Sequence, residues 1–247
     1  MPLNIRFAPK QDAKKAACEF QKNHRVHLPD FLDAEAAGQL RDAILSETDW
    51  ETALFLGGRH VDLDTAAWRE VSDEKRNATL AAVHAQAAKG FAYAYDKIPI
   101  YDRYWDGSPL DHRFRRIFQF LNSAPFLDYM RILTGRPDIA FADLQATRYR
   151  CGDFLTVHND DIANKNRCAA YVLNLTADWR EDWGGFLQFF NREGHVEEAF
   201  MPKFNALNIF SIPMRHSVSF IPPFAEADRL SITGWLRAGV DESLSAP

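Results

Sequence analysis

The sequence predicts an α+β chain, mainly β, folded as a double-stranded β-helix (jelly roll) with supporting N-terminal helices. Three observations carry that expectation. Apolar residues recur with helical spacing up to about residue 135, and with the two-residue spacing of strands from Ile139 onward. The later segments are short and separated by Gly, Pro, Asp or Asn, the pattern of sandwiches and jelly rolls. A breaker, Thr134-Gly135-Arg136-Pro137, marks the change of period. The expected division is a mainly helical support region over residues 1–135, packed on a β-helix core over residues 136–240, the two making one structural domain.

In the first region, His24–Leu28 reads as a short strand. Asp33 is placed to N-cap a helix through Leu45, because its carboxylate can accept from the free N–H groups of the first turn. Thr52–Asp62 reads as two short strands joined at Gly57-Gly58. Ser72 can cap a helix to about Lys89, and two more helices are expected over Leu110–Leu121 and Pro125–Leu133. In the second region the expected strands are Ala140–Arg150, Phe154–Asn159, Cys168–Leu175, Gly185–Phe190, Ala206–Ile212, His216–Ile221 and Leu230–Leu236. There is no internal repeat and no low-complexity tract.

The composition bounds the function. A hydrophobic content of 47% with 26% charged residues allows a sizeable core and excludes a disordered chain. A net charge of −5 argues against a nucleic-acid partner, which needs a clustered basic excess. The local run His112-Arg113-Phe114-Arg115-Arg116 reads as a solvated helix face. Three widely spaced cysteines, Cys18, Cys151 and Cys168, with no CxxC pair, suit a reducing compartment. Met1–Lys15 is polar and lacks the apolar stretch of a signal peptide, and no apolar run has the length of a membrane span. The expectation is a soluble cytoplasmic protein with no membrane partner.

The sharpest local feature is Val157-His158-Asn159-Asp160. On a strand, residues two apart project to one face, so His158 and Asp160 can converge on one ion. An imidazole and a carboxylate suit a mid-row metal such as iron, and a second histidine completes a facial triad with open coordination positions. His-x-Asp alone is a weak signal and also fits a polar strand end. The second histidine is expected to be His216, 58 residues on, at the start of an alternating segment. His24, His27, His60, His84, His112 and His195 lie in the helical lead-in or a polar loop and read as surface or structural histidines.

Arg229, Ser231 and Thr233 share one face of the last strand, and Leu230 and Ile232 the other. If the polar row faces the interior it needs a ligand. Arg229 offers a planar fork for a carboxylate and Ser231 a hydroxyl donor. An outward, solvated row has the same parity, so the alternation alone leaves both readings open. The order His-x-Asp, then His, then Arg thirteen residues later is more specific than its parts.

With these residues the sequence resembles the prolyl 4-hydroxylase-type Fe(II)/2-oxoglutarate-dependent oxygenases over about residues 139–238. Four segments carry the resemblance: Arg148–Leu155 with His158-Asn159-Asp160-Asp161; Arg167–Asn174 with Asp178-Trp179 and Trp183-Gly184-Gly185; Arg215–Val218; and Arg229-Leu230-Ser231-Ile232-Thr233-Gly234-Trp235. The doubled acid and the last segment are most similar to the ribosomal prolyl hydroxylase branch, whose second, degenerate β-helix domain this chain is too short to include. The resemblance implies His158, Asp160 and His216 as iron ligands and Arg229 as partner of the 2-oxoglutarate C5 carboxylate. It also implies Tyr149 in the cosubstrate pocket. A second family tyrosine is replaced here by Asn174, while the nearby Tyr171 lies on the opposite strand face.

The implied cofactors are Fe(II), 2-oxoglutarate as cosubstrate and O2, with room for ascorbate. The implied reaction is hydroxylation of a C–H bond, of a prolyl residue in a protein or peptide, or alternatively of a free amino acid or other small molecule. A non-catalytic cupin-like metal-binding or sensing protein is the alternative of another class; it would keep the metal ligands but need no Arg–Ser clamp. Trp179–Gly185 and Phe55–Asp64 are candidate substrate-covering elements, and Trp179 reads equally well as core.

Overall fold

The computed structural model describes residues 3–239. Met1, Pro2 and residues 240–247 lie outside the described residues, and with them the ends of the two predicted regions. The helices are α1 (Ala13–Asn23), α2 (Ala34–Ser46), α3 (Thr65–Glu70), α4 (Asp73–Ala87), α5 (Ile100–Asp106), α6 (His112–Leu121) and α7 (Ala124–Thr134). The strands before residue 135 are β1 (Arg25–Leu28), β2 (Glu51–Leu56), β3 (Arg59–Asp64) and β4 (Tyr93–Ile98). Those after it are β5 (Ile139–Ala142), β6 (Gln145–Tyr149), β7 (Phe154–His158), β8 (Arg167–Asn174), β9 (Leu187–Phe190), β10 (Val196–Phe200), β11 (Ala206–Ser211), β12 (His216–Val218) and β13 (Arg229–Ala238).

All strand pairs are antiparallel, in the order β1-β11-β8-β13-β6-β4-β7-β12-β9-β10, with β2 and β3 added outside β4 and β5 beside β13. The sheet folds over where β4 leaves β6 to pair with β7, which gives a nearly closed barrel. This is the double-stranded β-helix the strand spacing predicts. The helical caps form as expected: the Asp33 carboxylate accepts from the N–H of Glu35, and the Ser72 hydroxyl from that of Lys75.

Each side of the central strands has one job. Leu230, Ile232 and Leu236 of β13, Tyr171 and Leu173 of β8, and Ala146 of β6 pack against Leu40 and Ile44 of α2, Phe114 and Ile117 of α6, and Phe126 and Met130 of α7. The helices thus buttress one face of the sheet, and the alternate residues are left for the barrel interior.

Several elements differ from the sequence reading. Ala140–Arg150 is two strands, because Asp143 leaves the ladder: its Oδ1 accepts from the N–H of Trp235 at 2.7 Å, while its own N–H donates to the Trp235 carbonyl at 3.1 Å. The predicted strand starting at Gly185 begins at Leu187, since Gly184 and Gly185 both take positive φ. β4 escapes the sequence pattern because a fully buried Asp96 sits on its face away from the cavity, held by Thr52, Arg148 and Arg150. α1, absent from the sequence reading, is a short and mostly polar helix that buries Ala16, Ala17 and Phe20 on one face.

Candidate metal centre and its cavity

Cross-strand partners share a face, and the registers carry one face across the sheet. Tyr149 pairs with Arg229, Thr147 with Ser231, and Gln145 with Thr233. Beyond β13, Thr233 pairs with Val172 and Trp235 with Ala170. Every one of these residues lines a cavity of about 370 Å³. The Arg229-Ser231-Thr233 row therefore faces inward, which resolves the ambiguity that parity left open.

The opposite wall comes from β7 and β12, where His158 and His216 are directly paired. β7 ends at His158, and Asp160 lies beyond it with φ of +60°. The two side chains converge through this left-handed turn rather than through the strand alternation that the sequence suggests. Aspartate is among the few residues that tolerate that region.

His158 Nε2 lies 3.5 Å from Asp160 Oδ1, and His216 Nε2 lies 3.3 Å from Asp160 Oδ2. One donor atom from each of the three residues falls within 4.8 Å of the others. Each imidazole has its Nδ1 against a backbone carbonyl, His158 against Thr156 at 3.0 Å and His216 against Met214 at 2.8 Å. A proton on Nδ1 satisfies those carbonyls and leaves both Nε2 lone pairs turned to Asp160, the tautomer a metal requires. Burial opposes ionisation of Asp160, but the His158 and His216 rings outweigh it and hold its pKa well below the usual carboxylate range. Burial and the neighbouring His158 depress the His216 pKa, against the pull of the Asp160 carboxylate. A carboxylate and two neutral imidazoles converging in this way fit a divalent mid-row ion such as Fe(II).

Arg229 is buried, with 2% of its surface exposed. Its Nη1 reaches the Ser231 hydroxyl at 3.4 Å, its Nε has no hydrogen-bond partner, and no described carboxylate pairs with it. The guanidinium carbon lies 5.2 Å from the Tyr149 ring centroid. Burial draws the Arg229 pKa down, yet an arginine remains protonated in a folded protein. A buried, unpaired cation is expensive unless an anion joins it, so the cavity floor suits the carboxylate of a cosubstrate. Ser231 shares its hydroxyl with Thr147 at 2.8 Å.

Asn174 is fully buried on the strand face of Ala170 and Val172, but it is not among the cavity-lining residues. Its Nδ2 donates to the Ala206 carbonyl at 3.3 Å, and its Oδ1 has no partner. Tyr171 faces the helices and donates to the Asp143 carbonyl at 2.8 Å. Trp179 and Trp183 pack with Tyr149, Val218 and Ile221 behind the wall, so the Trp179–Gly185 segment carries core rather than covering the opening.

The Phe55–Asp64 segment is the β2–β3 hairpin, and its His60 does line the cavity, with Nδ1 2.6 Å from the Tyr93 hydroxyl. His60 is exposed and hydrogen-bonded, as expected of a surface or structural histidine, and sits at the edge of the cavity. The sequence reading also passes over Tyr93, Tyr95, Thr147 and Arg167 as cavity residues. For Tyr93 and Tyr95 the available signal is the alternation of tyrosines before Lys97; for Thr147 it is the pairing with Ser231, which sequence does not show.

Residues 144–237 match the family described as the 2OG-Fe(II) oxygenase superfamily. Prolyl 3-hydroxylase sudestada1 of Drosophila melanogaster is 28% identical over 119 residues, covering 43% of this chain and 22% of that protein. Prolyl 3-hydroxylase OGFOD1 of Mus musculus is 31% identical over 100 residues, covering 38% and 18%. The chain therefore spans about a fifth of the length of these curated relatives.

A Pseudomonas putida prolyl-4-hydroxylase superposes with a TM-score of 0.55 at 19% identity, covering 93% of this chain and 96% of that one. A Trichoplax adhaerens prolyl hydroxylase, solved with a hypoxia inducible factor peptide fragment, gives 0.57 at 18% identity, covering 95% and 93%. At these identities the structures establish a shared fold. Residues 144–237 thus match the 2OG-Fe(II) oxygenase superfamily in sequence, and the barrel they build has the fold of these prolyl hydroxylases.

Proposed function

We propose that this chain hydroxylates a prolyl residue in a protein or peptide, with Fe(II) held by His158, Asp160 and His216 and 2-oxoglutarate held by Arg229. The observation that carries the reading is a buried guanidinium without an anionic partner, in the same cavity as three converging metal donors. A metal-sensing cupin-like protein has no use for that cation.

Bound Fe(II), with 2-oxoglutarate and O2, supplies the oxidising power that puts one oxygen atom into a C–H bond, releasing succinate and CO2. The chain supplies orientation and a dry site. Arg229 and the Ser231 hydroxyl receive the C5 carboxylate, Tyr149 packs against the guanidinium, and the amide of Asn174 adds polarity behind Ser231. Asp160 fills the carboxylate position of the triad, which favours hydroxylation over halogenation. The support region of residues 1–135 and the core of residues 136–240 act as one domain in this reading, because β4 of the first contributes Tyr93 and Tyr95 to the cavity of the second.

The prolyl substrate is supported by the names of the relatives and by the flat aromatic faces of Phe91, Tyr93 and Tyr95, against which a pyrrolidine ring can pack. Free thiols at Cys18, Cys151 and Cys168 support a cytoplasmic setting. No helix among the described residues is long and apolar enough to cross a membrane.

The test is succinate release from 2-oxoglutarate with Fe(II) in air, with and without ascorbate, for wild type and Asp160→Ala. It is joined to a comparison of proteomes and metabolites with and without the active gene. Wild-type turnover with a recurring proline carrying one added oxygen supports the proposal. Equal, negligible release from both proteins overturns it, and an oxygenated free amino acid moves the substrate to the small-molecule class.

A further inference from the structure

Arg167 occupies an unusual position. It opens β8, and its guanidinium carbon lies 3.4 Å from the centroid of the Trp235 ring on β13. Its Nη1 donates to the backbone carbonyl of Asp160 at 3.3 Å and lies 3.7 Å from Asp160 Oδ1, while its Nε is buried without a partner. The side chain is only 12% exposed. A cation placed there is costly unless it does something for its neighbours.

What it touches is the one metal donor with no regular secondary structure to hold it. Asp160 follows the end of β7 in a left-handed conformation, and the chain from Asp161 to Asn166 contains two more left-handed residues, Asn164 and Asn166, before β8 begins. His158 and His216 are fixed by strand pairing and by their Nδ1 contacts. Among the described residues, the Asp160 carbonyl accepts a hydrogen bond from the Arg167 guanidinium alone.

We propose that Arg167, clamped on Trp235, is a positioning residue that locks the Asp160 turn and so presents its carboxylate to the metal. The two contacts, one on the carbonyl and one on the carboxylate, fix both the peptide plane and the side chain of Asp160. The indole face sets the plane of the guanidinium, which removes most of its own freedom. The inference rests on the reading of His158, Asp160 and His216 as a metal site, and the controls below separate the two.

Mn(II) serves as probe, titrated calorimetrically into the full chain without 2-oxoglutarate. Arg167→Met keeps a stem to pack on Trp235 but removes the donors. It is expected to weaken Mn(II) binding by about ten- to a hundredfold, the usual scale for outer-shell partners of metal ligands, with circular dichroism and Tm near wild type. Arg167→Lys, which restores one donor, is expected to recover part of the loss. Trp235→Phe, which narrows the supporting ring, is expected to lose several-fold and decides the matter if Arg167→Met does not fold.

Wild-type Mn(II) affinity in folded Arg167→Met, or in Trp235→Phe where only that variant folds, overturns the proposal. So does unchanged affinity accompanied by loss of hydroxylation, which would make Arg167 a substrate contact. If Asp160→Ala and His158→Ala also bind Mn(II) like wild type, the metal site itself has been misassigned.

Discussion

Arg229 and Tyr149 face each other across adjacent strands, in direct register, with the guanidinium carbon 5.2 Å from the tyrosine ring centroid. The pair forms the floor of the cavity. Burial raises the Tyr149 pKa well above its ordinary value, so the phenol stays neutral and the floor keeps one uncompensated positive charge. Replacing Arg229 by alanine should raise the KM for 2-oxoglutarate by about 30-fold or more, the scale of about 2 kcal/mol or greater for truncating a buried charged partner. Mn(II) affinity without the keto acid should stay within a factor of about two, because Arg229 touches none of the three donors. Succinate release against 2-oxoglutarate concentration, with calorimetry alongside, checks both halves.

The β6–β7 turn carries a titrating group away from the metal. Asp153 accepts from the Arg150 N–H at 2.7 Å. Burial pushes its pKa up to about 8, the Arg150 N–H and guanidinium oppose this, and the like charges of Asp96 and Asp228 add to it. Between the ordinary carboxyl pKa and about 8 the folded protein holds a proton that the unfolded chain has lost. Stability from this group is therefore complete below pH about 4 and declines as pH rises towards 8. Asp153→Asn mimics the neutral acid. Its Tm should fall less than that of wild type between pH 5 and 8, and parallel melting curves for the two proteins would remove Asp153 from this role.

Gly234 tests the packing behind the site. A β-carbon there would lie 2.0 Å from the Asp143 carbonyl oxygen and 2.9 Å from the Tyr171 hydroxyl. The first of those atoms is backbone and cannot swing away. Gly234→Ala should destabilise the fold by about 1–3 kcal/mol or more, as forced overpacking does, read as a lower urea midpoint. A midpoint equal to wild type would mean that β5 and β13 have more play than their spacing indicates.

At the mouth, His60 and Tyr93 tie the β2–β3 hairpin to β4 through a 2.6 Å hydrogen bond. His60→Ala should raise the KM for the oxidised substrate by about 2- to 10-fold, the range of one lost hydrogen bond. Succinate release without that substrate should not change. A parallel change in both would place the effect at the metal instead of the opening.

Much of this was legible in the sequence, and the misses have physical causes. Regular periodicity and caps revealed α2, α4, α6 and α7, because Asp33, Ser72 and the apolar faces are local features. The candidate site was legible because its spacings are short: His158 and Asp160 stand two residues apart, and Arg229 follows His216 by thirteen. What the sequence could not show was long-range. Tyr93 and Tyr95 reach the cavity only because β4 is inserted between β6 and β7, and its buried Asp96 disguises the strand. Arg167 looks like an ordinary strand start until Trp235, 68 residues later, comes to rest under it.

The position of β13 bears on the order in which the barrel closes. It is the last described strand, yet it lies at the centre of the sheet, joined to β5, β6 and β8. A nascent chain still lacking residues beyond 228 has neither the Arg229 charge nor the strand that bridges β6 and β8. Until residues 229–238 emerge from the ribosome, the edges of β6 and β8 that β13 covers stay unpaired, and the Arg229 charge joins the cavity in the same step that bridges them.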